Sequence, residues 1–159
     1  MDVAALQQQL IDAAATVAVA ESLTGGLLSA ALTDLAGASA VLRGGLVVYA
    51  TELKAQLAGV PADLLAERGA VDPDVASALA VGVRERLGTT YGLGVTGVAG
   101  PDPQDGQPVG TVFAGCAGPR RVLVSAHHFD GDRGAIRSAA VQAALALLAR
   151  ESAPGPATL

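Results

Sequence analysis

The hydrophobic residues of this chain fall into short apolar runs that alternate with amphipathic stretches. Leu6, Leu10 and Ile11 are spaced for one helical face, which predicts a helix over residues 3–15. Short apolar runs bounded by turn residues predict buried strands. The first half of the chain therefore predicts, in order, a strand over 16–20, a helix over 25–35, a strand over 46–50, a helix over 51–58 and a helical turn over 62–67.

The second half opens on the clearest helix start, Asp72-Pro73-Asp74, with a capping residue, a proline at the first helical position and an acid in the first turn. The remaining pattern predicts that this helix runs to Leu87, then a strand over 91–95, a Gly/Pro/Asp-rich loop over 96–108, a hairpin with strands over 109–117 and 122–129, a helix over 132–151 and a frayed tail over 152–159. Strands that alternate with helices and then form a hairpin indicate one α/β domain, residues 3–151. We expect a three-layer α/β/α sandwich on a mixed sheet.

Composition narrows the possible functions. Hydrophobic residues make up 51% of the sequence, but with no Trp, two Tyr and two Phe they are mostly small, which implies close packing of helices on the sheet. The formal net charge of −5 argues against nucleic acid as a partner, because binding a phosphate backbone requires a basic face. A local pocket for one small anion remains compatible with this charge.

Neither a secretory signal nor a membrane span is recognisable in the sequence. The N-terminus lacks a basic start and a continuous apolar core, and the Ala/Leu-rich stretch 139–149 is too short to cross a bilayer. We therefore expect a cytoplasmic protein without membrane contact. Cys116 is the only cysteine, so we expect no intrachain disulfide, and its apolar surroundings indicate an inert buried residue.

No metal-ligand spacing appears among the acidic residues and histidines. His127 and His128 are adjacent in a predicted strand, so they point to opposite faces and cannot chelate one ion. We predict a site that needs neither a metal nor a cofactor.

The most informative stretch is Ala20-Glu21-Ser22-Leu23-Thr24-Gly25-Gly26, at the predicted strand-to-helix turn. Free backbone N–H groups at such a turn can hold a developing oxyanion, and we expect those near Gly25 and Gly26 to do so beside the Ser22 hydroxyl. A serine here is also a common helix cap, so the residues alone leave both roles open. Glu21, if buried, needs a partner, and we expect it to orient Lys54 or a substrate hydroxyl.

Tyr49 and Lys54 lie five residues apart, across a predicted strand end and helix start. Both side chains can therefore reach a pocket at the carboxyl edge of the sheet, where open α/β folds bind ligands. A partly desolvated lysine can act as a base. Whether Lys54 deprotonates Ser22 or holds a phosphate is left open by the pattern.

Two later segments suit a phosphorylated ligand. In Gly94-Val95-Thr96-Gly97-Val98-Ala99-Gly100-Pro101-Asp102, small residues let the backbone approach a ligand and Thr96 can hydrogen-bond to it, although an ordinary loop fits equally well. Arg133 and Arg137 share one face of the last predicted helix, near its positive end, and we expect at least one of them to bind phosphate. The alternative is a solvated face balanced by Asp130 and Asp132.

Four segments of the chain resemble, in order, the C-terminal domain of the competence/damage-inducible protein CinA. They are residues 20–26 and 94–102, quoted above, with Tyr49-Ala50-Thr51-Glu52-Leu53-Lys54 and Gly131-Asp132-Arg133-Gly134-Ala135-Ile136-Arg137. That family is also known as the PncC-type nicotinamide mononucleotide amidohydrolases, and the resemblance runs from Val17 to Leu148. It implies catalytic roles for Ser22, Tyr49 and Lys54. It also implies contacts between substrate and ten further residues, Glu21, Thr24, Gly25, Gly26, Thr96, Gly97, Ala99, Gly100, Arg133 and Arg137.

The implied reaction is hydrolysis of the carboxamide of nicotinamide mononucleotide to nicotinate mononucleotide and ammonia, in a homodimer or higher homo-oligomer. Ser22 would attack the carbonyl itself or position a water that does. The main alternative is a non-catalytic module that binds a pyridine nucleotide or sugar phosphate, and a third is a regulatory partner in competence or DNA damage.

Overall fold

The computed structural model describes residues 1–153, which form a five-stranded sheet covered by helices. The helices are α1 (Val3–Asp12), α2 (Leu27–Thr33), α3 (Thr51–Ala58), α4 (Ala62–Arg68), α5 (Pro73–Leu87) and α6 (Arg133–Ser152), with a 3₁₀ turn at Ala38–Ala40. The strands are β1 (Val17–Glu21), β2 (Leu42–Val47), β3 (Tyr91–Gly97), β4 (Thr111–Ala117) and β5 (Val122–His128).

The sheet is mixed and its strand order is β2-β1-β3-β4-β5. β1 pairs in parallel with β2 and β3, whereas β4 and β5 form an antiparallel hairpin beside β3. Alternate residues of β1 contribute to two separate cores. Val17 and Val19 pack with α1, α2 and α6, while Ala18 and Ala20 pack with α3, α4 and α5. The predicted three-layer α/β/α sandwich is confirmed.

Small residues allow the helices to lie close to the sheet and to each other. A Cβ at Gly94 of β3 would lie 2.5 Å from the Ala76 carbonyl oxygen of α5, and one at Gly115 of β4 would lie 2.4 Å from the same atom. Cys116 is fully buried, and burial raises the pKa of its thiol to about 12, so it stays protonated and unreactive as expected.

Several predicted boundaries were wrong. The first helix ends at Asp12 rather than at residue 15, with Ala14 at a positive φ of 48°, and β3 continues through Thr96 and Gly97, which were expected in the loop. The second strand spans Leu42–Val47 rather than 46–50, because β2 is an edge strand in which only every other residue is partly buried, and Arg43 interrupts its apolar pattern. The helix expected from residue 25 begins at Leu27, because Gly25 and Gly26 have positive φ angles of 58° and 105°. The strand expected from residue 109 begins at Thr111, after Gly110 with φ 93°.

The predicted frayed tail begins inside a helix, since Ser152 is the last residue of α6. Residues 154–159 of that prediction lie outside the described part of the chain.

The close approach of α3 and α5 gives a test of the packing. A Cβ at Gly82 would lie only 1.7 Å from the Ala58 carbonyl oxygen, so we expect Gly82→Ala to lower the free energy of unfolding by about 2 kcal/mol, as overpacking does. Gly134→Ala is the matched control, because its Cβ would meet nothing closer than 3.4 Å, and we expect stability to stay equal or rise slightly. Denaturant unfolding measures both, and equal effects would contradict this account of the packing.

Candidate functional site

Ser22 and Lys54 meet at the carboxyl edge of the parallel strands. Because side chains alternate along β1 and its continuation, Glu21 points to the layer of α2 and Ser22 to the layer of α3. Lys54 lies in α3 and is 1% exposed, and its Nζ lies 3.1 Å from Ser22 Oγ. The structure thus brings together two of the three residues for which the sequence resemblance implies catalysis.

The other contacts of the Lys54 amine are backbone carbonyls. Nζ donates to the carbonyl oxygen of Val48 at 2.8 Å and more weakly to that of Tyr49 at 3.4 Å. Val48 is held at the sheet edge, since its N–H donates to the Glu21 carbonyl at 2.8 Å. A neutral amine in this place has two N–H bonds for the two carbonyls and one lone pair for the serine hydroxyl.

Burial also changes the protonation of this amine. Desolvation lowers the pKa of Lys54 to about 8, although the negative charges of Asp105 and Glu52 partly oppose the shift. At pH 7 about a tenth of the amine is therefore neutral, compared with less than about one part in a thousand at the unshifted pKa. A hydroxyl in contact with a neutral amine is the arrangement that activates a serine as nucleophile.

Tyr49, the third residue implied to be catalytic, lies at the cavity rim rather than against Ser22. It is 59% exposed, and its hydroxyl accepts a hydrogen bond from Arg133 Nη2 at 2.9 Å. Arg133 also donates from Nη1 to the Gly100 carbonyl. Arg133 thus joins the strand end that carries Tyr49 to the loop that follows β3.

A cavity opens between this rim and Ser22. Its lining residues are Ser22, Leu23, Tyr49, Gly97, Val98, Ala99, Gly100, Asp102, Gln104 and Arg133. The sequence predictions included Gly97, Ala99 and Gly100 but missed Leu23, Val98, Asp102 and Gln104. Asp102 closes the glycine-rich segment that the sequence analysis singled out, and that segment was the available signal.

Glu21 does not contact Lys54, contrary to expectation. It is fully buried, and its carboxylate accepts hydrogen bonds from the N–H groups of Gly26, Leu28 and Ser29 and from the Ser29 hydroxyl, at 2.6–3.1 Å. An acid satisfies the free N–H groups at a helix start and is favoured there by the helix dipole. Glu21 therefore holds α2 on the end of β1.

Within the segment near Gly25 and Gly26 where oxyanion donors were expected, the amides of the two glycines themselves are already paired. The Gly25 N–H donates to the Ser22 carbonyl at 3.1 Å and the Gly26 N–H to Glu21. Thr24 is fully buried and does not line the cavity. The two glycines supply the left-handed backbone of the turn that follows Ser22.

Thr96 and Arg137 likewise hold the backbone. The Thr96 hydroxyl donates to the Ala70 carbonyl at 2.6 Å, which ties β3 to the segment before α5 instead of facing a ligand. Arg137 is half-buried and donates from Nε to the Leu23 carbonyl at 2.9 Å and from Nη2 to the Thr24 carbonyl at 3.1 Å. Of the two arginines expected to suit phosphate, only Arg133 lines the cavity.

Within residues 1–153, no group of three or more His, Cys, Asp and Glu side chains is arranged to hold a metal ion. His127 is half-buried beside Phe129 whereas His128 is exposed, as expected of neighbours on one strand. None of the described helices combines the length and apolarity needed to cross a membrane.

The fold and the site define an α/β protein in which a serine hydroxyl contacts a buried lysine amine beside a small cavity, at the carboxyl edge of the parallel strands. The sequence model of the CinA C-terminal domain matches residues 3–152, and the chain belongs to that family. The family resemblance stated from the sequence is confirmed.

Individual relatives agree with this assignment. A CinA-like protein of Frankia casuarinae is 55% identical over 141 residues, and a putative competence-damage inducible protein of Desulforamulus reducens is 52% identical over 138 residues. These alignments cover 89% and 87% of this chain but 33% and 34% of the relatives. The chain thus spans about a third of the length of the curated relatives that it matches.

Solved structures match nearly the whole fold. A CinA superfamily protein from Escherichia coli superposes with a TM-score of 0.89 at 32% identity, covering 93% of this chain and 87% of that one. The competence/damage inducible protein CihA from Agrobacterium tumefaciens has a TM-score of 0.86 at 35% identity, covering 93% of this chain and 94% of its own.

The burial of Lys54 gives a direct test of the site. Lys54 is the only lysine in the sequence, so selective ¹³C labelling of lysine gives a single side-chain signal. We expect that signal to titrate near pH 8 in the folded protein and near 10.5 after unfolding. A folded-state titration near 10.5 would show a solvated amine and contradict the buried geometry.

The same pKa shift predicts how stability depends on pH. Folded Lys54 binds fewer protons than unfolded Lys54 between about pH 8 and 10.5, so its contribution makes the free energy of unfolding rise with pH across that window. The difference between wild type and Lys54→Met in denaturant unfolding isolates this contribution from other titrating groups.

Proposed function

We propose that this chain hydrolyses the carboxamide of nicotinamide mononucleotide, giving nicotinate mononucleotide and ammonia. The observation that carries the proposal is the buried Lys54 amine, of lowered pKa, 3.1 Å from the Ser22 hydroxyl at the end of a cavity. Membership of the CinA family supports the substrate, since the PncC-type resemblance of the sequence implies it.

The first half of the reaction forms an ester. Ser22 Oγ attacks the carboxamide carbon while its proton passes to Lys54 Nζ, and the carbonyl π electrons move onto the oxygen. When the tetrahedral intermediate collapses, the C–N bond breaks and the leaving nitrogen takes the proton from Lys54. Ammonia leaves, and the nicotinoyl group remains on Ser22. Lys54 thus acts first as general base and then as general acid.

The second half returns the enzyme. Neutral Lys54 takes a proton from a water molecule as that water attacks the ester carbon. Collapse then breaks the bond to Ser22 Oγ, which recovers a proton from Lys54, and the product leaves as a carboxylic acid that ionises in water. Because Lys54 must be neutral at each attack, we expect kcat to rise with pH through the pKa of Lys54.

The charges on the cavity wall suit the two ends of this substrate. Arg133 at the rim can pair with the phosphate, and the Asp102 carboxylate is complementary to the positive pyridinium ring. Tyr49 holds the Arg133 guanidinium through its hydroxyl, so its contribution is to substrate placement.

Ammonia release from nicotinamide mononucleotide tests the proposal. We expect Ser22→Ala to lower kcat at least about 10³-fold, because the nucleophile is lost, while the far-UV spectrum and binding of the mononucleotide persist. Ser138→Ala, an exposed serine on α6, is the matched control and should keep full activity. EDTA should leave the rate unchanged, since no step uses a metal.

Two results would overturn the proposal. Wild type that binds the mononucleotide without releasing ammonia would favour the alternative of a non-catalytic binding module. Near-normal turnover by Ser22→Ala would leave the serine as part of the turn alone.

Arg133 provides a second prediction, about the phosphate. Arg133→Met should raise KM for nicotinamide mononucleotide by roughly tenfold to a hundredfold, because one charged hydrogen bond is worth about 1.5–3 kcal/mol, and should leave kcat nearly unchanged. Nicotinamide riboside lacks the phosphate and serves as the internal control. Equal losses on both substrates would show that Arg133 supports the rim of the cavity and not phosphate binding.

A further inference from the structure

Backbone donors around Ser22 can be accounted for one by one. Between residues 22 and 29, the N–H groups of Ser22, Gly25 and Leu27 donate to backbone carbonyls. Those of Gly26, Leu28 and Ser29 donate to the Glu21 carboxylate. Within the described chain, only the N–H groups of Leu23 and Thr24 in this segment have no acceptor.

These two amides are not part of the helix start, whose donors Glu21 already occupies. They belong to the two residues directly after Ser22, and Leu23 lines the same cavity as Ser22. A buried amide without a partner is costly and uncommon, so a ligand atom in the cavity is a natural acceptor for the Leu23 amide.

Arg137 fixes the direction of the Thr24 amide. The C=O and N–H of one trans peptide point in opposite directions. Arg137 Nε holds the Leu23 carbonyl at 2.9 Å on the α6 side, so the Thr24 N–H points away from α6. The layer opposite α6 is the one that contains Lys54.

The same guanidinium also influences the Leu23 amide, through a chain of hydrogen bonds. Arg137 Nη2 holds the Thr24 carbonyl at 3.1 Å, which turns the Gly25 N–H onto the Ser22 carbonyl at 3.1 Å. The Ser22 carbonyl in turn fixes the peptide that carries the Leu23 N–H. A Cβ at Gly25 would lie 3.3 Å from Nη2, so the turn and the guanidinium are in close contact.

We propose that Arg137 is a positioning residue, which holds the turn after Ser22 so that the Leu23 amide donates to the oxyanion that forms when Ser22 is acylated. The inference rests on the proposed function. The guanidinium also polarises the peptide that carries the Thr24 carbonyl and the Gly25 N–H. The Gly25 N–H donates to the Ser22 carbonyl, and this polarises the peptide that carries the Leu23 N–H and strengthens that group as a donor. Arg137 acts through the backbone and touches neither substrate nor the reacting atoms.

The test compares Arg137→Met with Arg150→Met, which removes an exposed arginine from the same helix. Removal of one oxyanion donor typically lowers kcat about 10²–10³-fold, and misdirected donors retain part of their effect. We therefore expect kcat for nicotinamide mononucleotide to fall about tenfold to a hundredfold in Arg137→Met, with KM within about twofold of wild type. Arg150→Met should match wild type in both constants.

A second readout does not depend on the substrate. With a fluorophosphonate reagent, Ser22 Oγ passes its proton to Lys54 Nζ and forms a bond to phosphorus while fluoride leaves, and the phosphoryl oxygen needs the same amide donor. We expect the labelling rate of Ser22, followed by mass spectrometry, to fall by a similar factor in Arg137→Met alone. Arg137→Lys, which can hold one of the two carbonyls, should be intermediate in both assays and covers the case in which Arg137→Met does not fold.

The outcomes separate the inference from the function on which it rests. Wild type that labels rapidly but releases no ammonia would refute the proposed substrate, while slower labelling of the Arg137 variants would still support the positioning role. A rise in KM at unchanged kcat, or labelling at the wild-type rate in folded Arg137→Lys, would overturn that role.

Discussion

The burial of one amine is the constraint on which the site depends. A lysine that is 1% exposed loses the hydration of its charge, and that loss must be offset locally. Two carbonyls at the end of β2 and the hydroxyl at the end of β1 supply the partners. Those atoms are in place only because β1 and β2 stay paired one residue beyond the strands, through the Val48 N–H. The amine, the serine and the strand ends therefore form one cooperative unit.

The meeting of Ser22 with Lys54 and the order of the layers could be predicted from the sequence, for a geometric reason. Ser22 and Lys54 each follow a strand of the parallel part of the sheet, and the carboxyl ends of parallel strands share one edge. The layer order also follows from the pattern, because strands buried on both faces need helices on both sides. β2 was misplaced because an edge strand buries only alternate residues, so a pattern of continuous apolar runs does not describe it.

The polar residues were harder to interpret, because the partners of Thr96 and Arg137 are distant in the sequence and those of Glu21 are backbone amides at a helix start whose position was itself misjudged. Glu21, Thr96 and Arg137 are residue types that often bind ligands, yet the side chain of each forms hydrogen bonds to backbone groups in the folded chain. Arg137 contacts a carbonyl 114 residues away and Thr96 one 26 residues away. Local spacing carries no information about such contacts. Residue type indicates that a group needs a partner, and only the fold decides whether the partner is a ligand or the chain itself.

The alternation of side chains along β1 explains why residues from both helical layers contact Ser22 or the turn that follows it. Glu21 faces the layer of α1, α2 and α6, and Ser22 faces the layer of α3, α4 and α5. The Lys54 amine comes from α3, whereas the supports of the turn, Glu21 with α2 and Arg137 on α6, belong to the opposite layer. The amine and the turn are thus aligned only when both layers pack on the sheet. The glycines and alanines of the core serve this requirement, because they let both layers approach closely enough for side chains of ordinary length to reach the strand end from either face.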